Sequence, residues 1–536
     1  MAVTTSFPGV YVQELPSLVH TVQPAPTSVA VFVGYTHPFL TTQFLAAIPL
    51  FSFSDYQANF GGFFSSPWQP DYVGQAVFQF FGNGGSMCYV VGLQATEYYD
   101  SSGTSKGGVA AASVAVPDAA PNITFTALQP VGIAATPPAT GTVGITMQIA
   151  ISNVQKTSAA DDTADIVVSY GSTVETYRKV LIGNLASALA GSSLVTVAVS
   201  DPAPTAYPTS GSPFSLGYSS LTAPDVAPEA GDTVISPGDF GQVFADNAPL
   251  DKVAVFNLLV TPGISDPGVA SEGVAYCERK RAFYIMDTPS SQTSGWSANS
   301  VVDDLAAGTA LSPAPPVSTN AAAYYPWLQA TDPVTQQPVI VPPSGYVAGI
   351  YGQTDAAAGV WQSPAGIGTA LLGTTGVDAP GLMTDPQQGV MNQNGIDCLR
   401  QFPSVGTVVF GARTTAGADA NTAQQQWKYV AVRRTALFIE QTLYANLTWA
   451  VFKPNATPLW NALTQEVGAF MLSLFRQNAF AGDTPSQAFL VQCDATTTTP
   501  ADVANGIVNI LVGFAPLVPA EFVIIQIAQL AGQAQS

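Results

Sequence analysis

The chain has 536 residues, of which 47% are hydrophobic and 9% charged, with 15 Lys and Arg against 35 Asp and Glu and a formal net charge of −20. Apolar content at this level, with 7 Trp, 19 Tyr and 28 Phe, excludes intrinsic disorder, and the sign of the charge excludes a nucleic-acid coat. A chain this long is expected to form about three domains with ample core.

The first 100 residues read as a compact α/β segment. Short apolar runs at 10–12, 28–34 and 87–93 predict strands, and residues 74–81 predict a helix that stops before Gly82-Asn83-Gly84-Gly85. Residues 29–53 carry no ionised side chain, yet Pro38, Pro49 and His37 among them suit strand and loop better than a membrane-spanning helix. From about 101 to 245 the texture changes to Ala, Thr, Ser, Val, Gly and Pro with few aromatics. Alternation at 142–151, 166–170 and 194–199 predicts a β-rich module inserted into the chain. Near its start, Gly103-Thr104-Ser105-Lys106-Gly107-Gly108 lacks the spacing of a phosphate loop and reads as a flexible junction.

Residues 246–536 return to α/β patterning. A buried strand is predicted over 253–260, ending at Thr261-Pro262-Gly263, followed by a helix over 274–281 and a strand over 282–286, which together suggest a parallel crossover unit. A helix over about 433–447 carries Leu437, Leu443 and Leu447 on one stripe. Thr457 is a good N-cap for a second helix with Pro458 at its first position; Leu459, Leu463, Val467, Phe470, Met471 and Leu474 repeat at three and four residues, and the helix is expected to stop near Gly482.

The two ends of the chain carry the sharpest local signal. Phe522, Val523, Ile524, Ile525, Gln526 and Ile527 form an uncharged run of high β propensity that would invite aggregation if left free, so it needs a partner strand. Val10, Tyr11, Val12, Gln13 and Glu14 are a second short strand close to the other terminus. The two could pair within one chain, or each could add to a sheet of a neighbouring copy.

Signs of catalysis are missing. His20 and His37 are the only histidines, and both read as surface or core residues. There is no GxxxxGK[ST], CxxC, HExxH or EF-hand loop, so no catalytic residue, metal or cofactor is assigned. Asp161-Asp162 and Asp303-Asp304 read as solvated loops, and Arg279-Lys280-Arg281 as an ion-pairing surface. The first basic residue is Lys106, so a positive leader region is lacking. Cys88, Cys277, Cys398 and Cys493 lie far apart and suit buried free thiols in a reducing cytoplasm.

Ser6-Phe7-Pro8-Gly9-Val10-Tyr11-Val12-Gln13-Glu14 and Thr27-Ser28-Val29-Ala30-Val31-Phe32-Val33-Gly34 resemble the opening of contractile tail sheath proteins, from phage tails and phage-tail-like injection systems. The resemblance extends through Asn257-Leu258-Leu259-Val260-Thr261-Pro262-Gly263 and Pro342-Pro343-Ser344-Gly345. It continues through Thr354-Asp355, Gly359-Val360-Trp361, Asn394-Gly395-Ile396-Asp397, Phe410-Gly411-Ala412-Arg413-Thr414, residues 429–434, Phe452-Lys453-Pro454-Asn455 and residues 516–522.

The resemblance implies a multidomain α/β fold. Residues 1–26 would be an N-terminal arm, 27–100 the first part of the sheath core, and 101–245 an inserted β-rich outer domain. Residues 246–390 would be a subtilisin-like middle domain, 391–519 a C-terminal sheath domain and 520–536 a C-terminal strand arm. A subtilisin-like fold does not make a protease here, because no histidine follows His37. The implied role is structural. Subunits would polymerise as stacked six-membered rings around an inner tube protein, with baseplate and terminal cap proteins as further partners and no nucleic acid or membrane insertion. They would assemble in the bacterial cytoplasm, exchange terminal strands, and contract without a nucleotide. Competing expectations are a non-contractile shell or adhesive protein and a subtilisin-like hydrolase. Residues 390–536 hold 7 basic and 8 acidic residues, and this near-neutral part is expected to interlock. Arg433, Arg434, Gln465 and Arg476 would form a tube-facing or interlocking surface, with the surplus acid toward the outside.

Overall fold

The computed structural model describes residues 22–66, 69–100, 102–109, 111–116, 123–131, 146–156, 162–199, 207, 214–215, 233–524 and 526. The chain divides into two compact units. The larger comprises Pro26–Leu437 with Val518–Ser536, and the smaller Met1–Ala25 with Phe438–Leu517.

The larger unit is organised by an eight-stranded sheet in the order Ala47–Leu50, Cys88–Leu93, Ala30–Tyr35, Leu258–Val260, Phe283–Asp287, Ala321–Tyr325, Ile396–Phe402, Gly406–Val409. The six inner strands are parallel and the two outer ones antiparallel. Parallel strands buried on both faces read as continuous apolar runs, and Ala30–Tyr35 is buried throughout. Its side chains alternate between two cores. Ala30 and Phe32 pack with Val77, Phe80 and Tyr346, whereas Val31, Val33 and Tyr35 pack with Phe240, Val269 and Val274.

On the first face the helices Tyr72–Gly82 and Ser344–Ala358 lie close together because the second presents glycine. A Cβ on Gly345 would come within 2.5 Å of the Ala76 Cα, and one on Gly349 within 2.8 Å of the Phe80 carbonyl oxygen.

The predicted crossover is present: Leu258–Val260 leads through the helix Pro267–Lys280 to Phe283–Asp287, with Leu258 opposite Phe283 in parallel register. Two boundaries differ from expectation. The strand is three residues long rather than covering 253–260; Asn257, just before it, bonds through its backbone to Val29 and Phe283 and through its side-chain amide to the backbone of Pro26 and Val29. The helix begins well before residue 274, with Asp266 as N-cap accepting from the Val269 N–H and Pro267 in its first turn. Its end bears the expected ion pairs: Arg279 with Asp246 at 2.6 Å and Lys280 with Asp251 at 2.8 Å.

Within 101–245 the described residues form antiparallel sheets. Thr163–Tyr170 pairs with Met147–Gln155 and Thr173–Leu181, and Ile123–Ala127 with Ser113–Ala115 and Val195–Val199. Alternate residues such as Ile123, Phe125, Ile166 and Val168 build a core of their own. The expected flexible junction is instead half of a hairpin, Ser105–Gly108 against Glu97–Tyr99, since backbone pairing needs no side-chain bulk.

In the smaller unit the helix Thr457–Arg476 buries Leu459, Leu463, Val467, Phe470, Met471 and Leu474, as the spacing predicts. Thr457 is not its cap. Ala456 holds that position and Pro458 falls within the first turn, while the helix ends at Arg476 rather than near Gly482 because Gln477 already leaves the α-helical conformation. A two-stranded antiparallel sheet, Phe489–Gln492 with Leu511–Phe514, completes this unit's described strands. All four cysteines are buried and free, and no helix among the described residues is long and apolar enough to cross a membrane.

Asp71 caps the helix Tyr72–Gly82 from inside the core, its Oδ1 accepting from the Gly74 N–H at 3.0 Å. Burial pushes its pKa up to about 8. A carboxyl raised in the folded state contributes stability that is full below pH about 4 and is lost as pH rises through about 8. Asp71→Asn, which keeps the accepting oxygen and cannot ionise, is expected to flatten the decline in stability between pH 4 and 8. Urea midpoints measured across that range check this.

Candidate functional site at the roots of the terminal segments

The expected N-terminal arm residues, Val10, Tyr11, Val12, Gln13 and Glu14, lie outside the described residues, as does His20. The chain just after them is fixed by side chains bonding to its backbone. In the smaller unit, the Asn446 side chain accepts from the Gln23 N–H at 2.9 Å and donates to the Gln23 carbonyl at 2.8 Å, and Thr442 accepts from the Ala25 N–H. In the larger unit, Asn257 donates to the Pro26 carbonyl at 2.7 Å and accepts from the Val29 N–H at 3.0 Å, while Arg434 donates to the Thr27 carbonyl at 2.9 Å.

Arg434 therefore has a different place from the surface expected of it. Its side chain and that of Asp355 are each 3% exposed and meet as a two-pronged ion pair at 2.9 and 2.6 Å. The guanidinium also sits 4.6 Å from the centre of the Tyr351 ring, whose hydroxyl is 2.6 Å from that of Tyr324. Successive residues of a helix point about 100° apart, so Arg433 is left half-buried, over the Trp427 ring and donating to Asn320 at 3.0 Å. Gln465 and Arg476 are exposed on the helix Thr457–Arg476 of the smaller unit.

The C-terminal root is held by charge. Glu521 accepts from Arg413 Nε and Nη2, both at 2.7 Å, from Asn392 Nδ2 at 2.7 Å and from the Tyr429 hydroxyl at 3.2 Å. Burial alone would raise the Glu521 pKa, but the bonds from Arg413 and Asn392 outweigh it and hold the carboxyl below its ordinary value. Arg413 is 1% exposed, and its Nη1 donates to the Asn392 carbonyl and to Asp419. Directly beyond this anchor, Phe522, Val523 and Ile524 are 73%, 80% and 83% exposed and belong to no strand. Gln526 is also exposed, whereas Ile525 and Ile527 lie outside the described residues.

Sequence reasoning missed Glu521, Asp355 and the anchoring role of Arg413. The available signal was their rarity: in a chain with 9% charged residues, an isolated charge inside an apolar stretch is a candidate buried partner. His37 proves to be a core residue, accepting from the Phe39 and Leu40 N–H groups, with burial lowering its pKa to about 4. Among the described residues no cluster of His, Cys, Asp or Glu could hold a metal ion.

Residues 247–415 match the phage tail sheath protein central domain, and residues 422–529 the phage tail sheath C-terminal domain, together a little over half of the chain. A putative prophage major tail sheath protein of Pseudomonas aeruginosa (strain UCBPP-PA14) is 27% identical over 283 residues, which cover 51% of this chain and 66% of that relative's length. The fold is similar to that of the anti-feeding prophage helical sheath in its contracted state, with a TM-score of 0.57 and 22% identity over 98% of this chain and 100% of the other. It is also similar to the contracted PVC sheath complex of an extracellular contractile injection system, with a TM-score of 0.55 and 22% identity over 99% of each chain. Two consecutive sheath domains in family order, within a fold of the same kind over its whole length, place this chain in the phage tail sheath protein family.

Proposed function

We propose that the chain is the structural subunit of a contractile sheath, in a phage tail or a phage-tail-like injection particle, and that it is not an enzyme. Subunits stack as six-membered rings around an inner tube, between a baseplate and a terminal cap, after assembly in the bacterial cytoplasm. Residues 246–390 take the subtilisin-like middle role, 101–245 the outer domain and 391–519 the C-terminal sheath domain. The acid surplus of the outer and middle parts faces solvent.

In this reading residues 1–26 and 520–536 are arms that add strands to neighbouring copies. The observation that carries it is the C-terminal root, where a fixed carboxylate is followed at once by three exposed apolar residues. The acceptor is the sheet Phe489–Gln492 with Leu511–Phe514. A two-stranded sheet is marginal alone and gains from further strands, and Leu490 and Leu511 on it are each 51% exposed. Contacts between copies that do not close on themselves build a helical polymer. Contraction then draws on extra burial between subunits, about 25 cal/mol per Å² of apolar area, rather than on a nucleotide.

Co-expression with tube and baseplate proteins, followed by electron microscopy, tests this. Ridged cylinders that shorten are expected; a dispersed monomer under the same conditions would overturn it.

A further inference from the structure

We propose that the Arg413–Glu521 pair is the mechanical anchor of the C-terminal arm: it fixes where residues 522–536 leave the subunit and passes tension on that arm into the main sheet. This rests on the strand-exchange reading above.

Three observations carry it. First, Glu521 is held by four donors, two of them from one guanidinium, which fixes its orientation as well as its position. Second, the anchor is tied directly to the sheet. The Arg413 backbone N–H donates at 2.8 Å to Asp397, a buried residue of the inner strand Ile396–Phe402, and Arg413 also bridges to Tyr429. Force on Glu521 therefore reaches a parallel strand through one residue. Third, the chain on either side offers little hold, since Val518 and Phe522 are exposed. With Glu521 free, the arm would sample many directions, and ordering it on a neighbour would cost more conformational entropy.

The fold does not depend on Glu521 alone. Arg413 keeps Asp419 and the Asn392 carbonyl, and Asp419 is itself paired with Lys428 at 2.8 Å. That allows a control. Asp419→Asn also removes a negative charge paired with the buried guanidinium but leaves the fork to Glu521 in place.

The full-length chain, Glu521→Gln, Asp419→Asn and a chain ending at Phe522 are compared for the concentration at which half the protein is assembled. The three proteins that retain residues 523–536 are also compared, unassembled, for the rate of chymotrypsin cleavage after Phe522. Glu521→Gln is expected to raise both by roughly tenfold, the scale of losing a charge-assisted two-pronged bond, while Asp419→Asn stays near the full-length values. The chain ending at Phe522 keeps the anchor and lacks the arm, and it is expected not to assemble.

Unchanged assembly and cleavage for Glu521→Gln, with the shortened chain still failing to assemble, would overturn the anchor and leave strand exchange standing. Equal weakening by Glu521→Gln and Asp419→Asn would reduce the pair to ordinary fold stability and overturn it too. Normal assembly of the shortened chain would overturn both readings.

Discussion

Arg434→Met is expected to lower the stability of the folded chain by about 3–5 kcal/mol, the range for removing one member of a buried ion pair. The size follows from what remains. Asp355, 3% exposed, would keep a carboxylate in apolar surroundings with neither prong of the guanidinium, and the Thr27 carbonyl would lose its donor. Methionine roughly fills the volume, so the loss reports on the unpaired charge rather than on a cavity. Adding Asp355→Leu should restore much of the stability, because removing both partners leaves no buried charge. Urea unfolding of the unassembled protein gives both numbers. A loss below about 1 kcal/mol would match an exposed pair instead.

Deleting residues 520–536 is expected to abolish sheath assembly and leave the core folded. The deleted segment includes Glu521, so Arg413 loses two of its bonds while retaining Asp419 and the Asn392 carbonyl. The eight-stranded sheet takes no strand from beyond Gly406–Val409, so its pairing is untouched. Sedimentation should show a soluble subunit with an unchanged far-ultraviolet spectrum, which does not enter polymers at concentrations where the full chain does.

Much of this architecture was legible in the sequence because it rests on local periodicity. Val31, Val33 and Tyr35 against Ala30 and Phe32 announce a strand buried on both faces, and the heptad-like spacing from Leu459 to Leu474 announces one buried helix face. Crossover geometry followed from strand, helix and strand in succession.

What failed was non-local. Nothing around Arg434 reveals that Asp355, 79 residues earlier, will meet it, so two adjacent arginines on a helix read as surface when one of them turns inward. Glu521 meets Arg413 across 108 residues and was hidden for the same reason. Gly345 was visible as part of a family pattern before its cause was, which is the close approach of two helices. The boundary at Thr457 differs by one residue, since Ala456 holds the N-cap position and no side chain caps the helix.

The charge asymmetry acquires a physical setting. In the near-neutral 390–536 region, Arg413 and Arg434 are spent on holding the chain beside the two termini rather than on facing a partner.

Helical reconstruction of the assembled particle by electron cryo-microscopy tests strand exchange most directly. Residues 522–527 are expected to lie as a strand hydrogen-bonded to the sheet Phe489–Gln492 with Leu511–Phe514 of a neighbouring copy, leaving their own subunit at Glu521. Density that instead returns those residues to a sheet of their own subunit would contradict it.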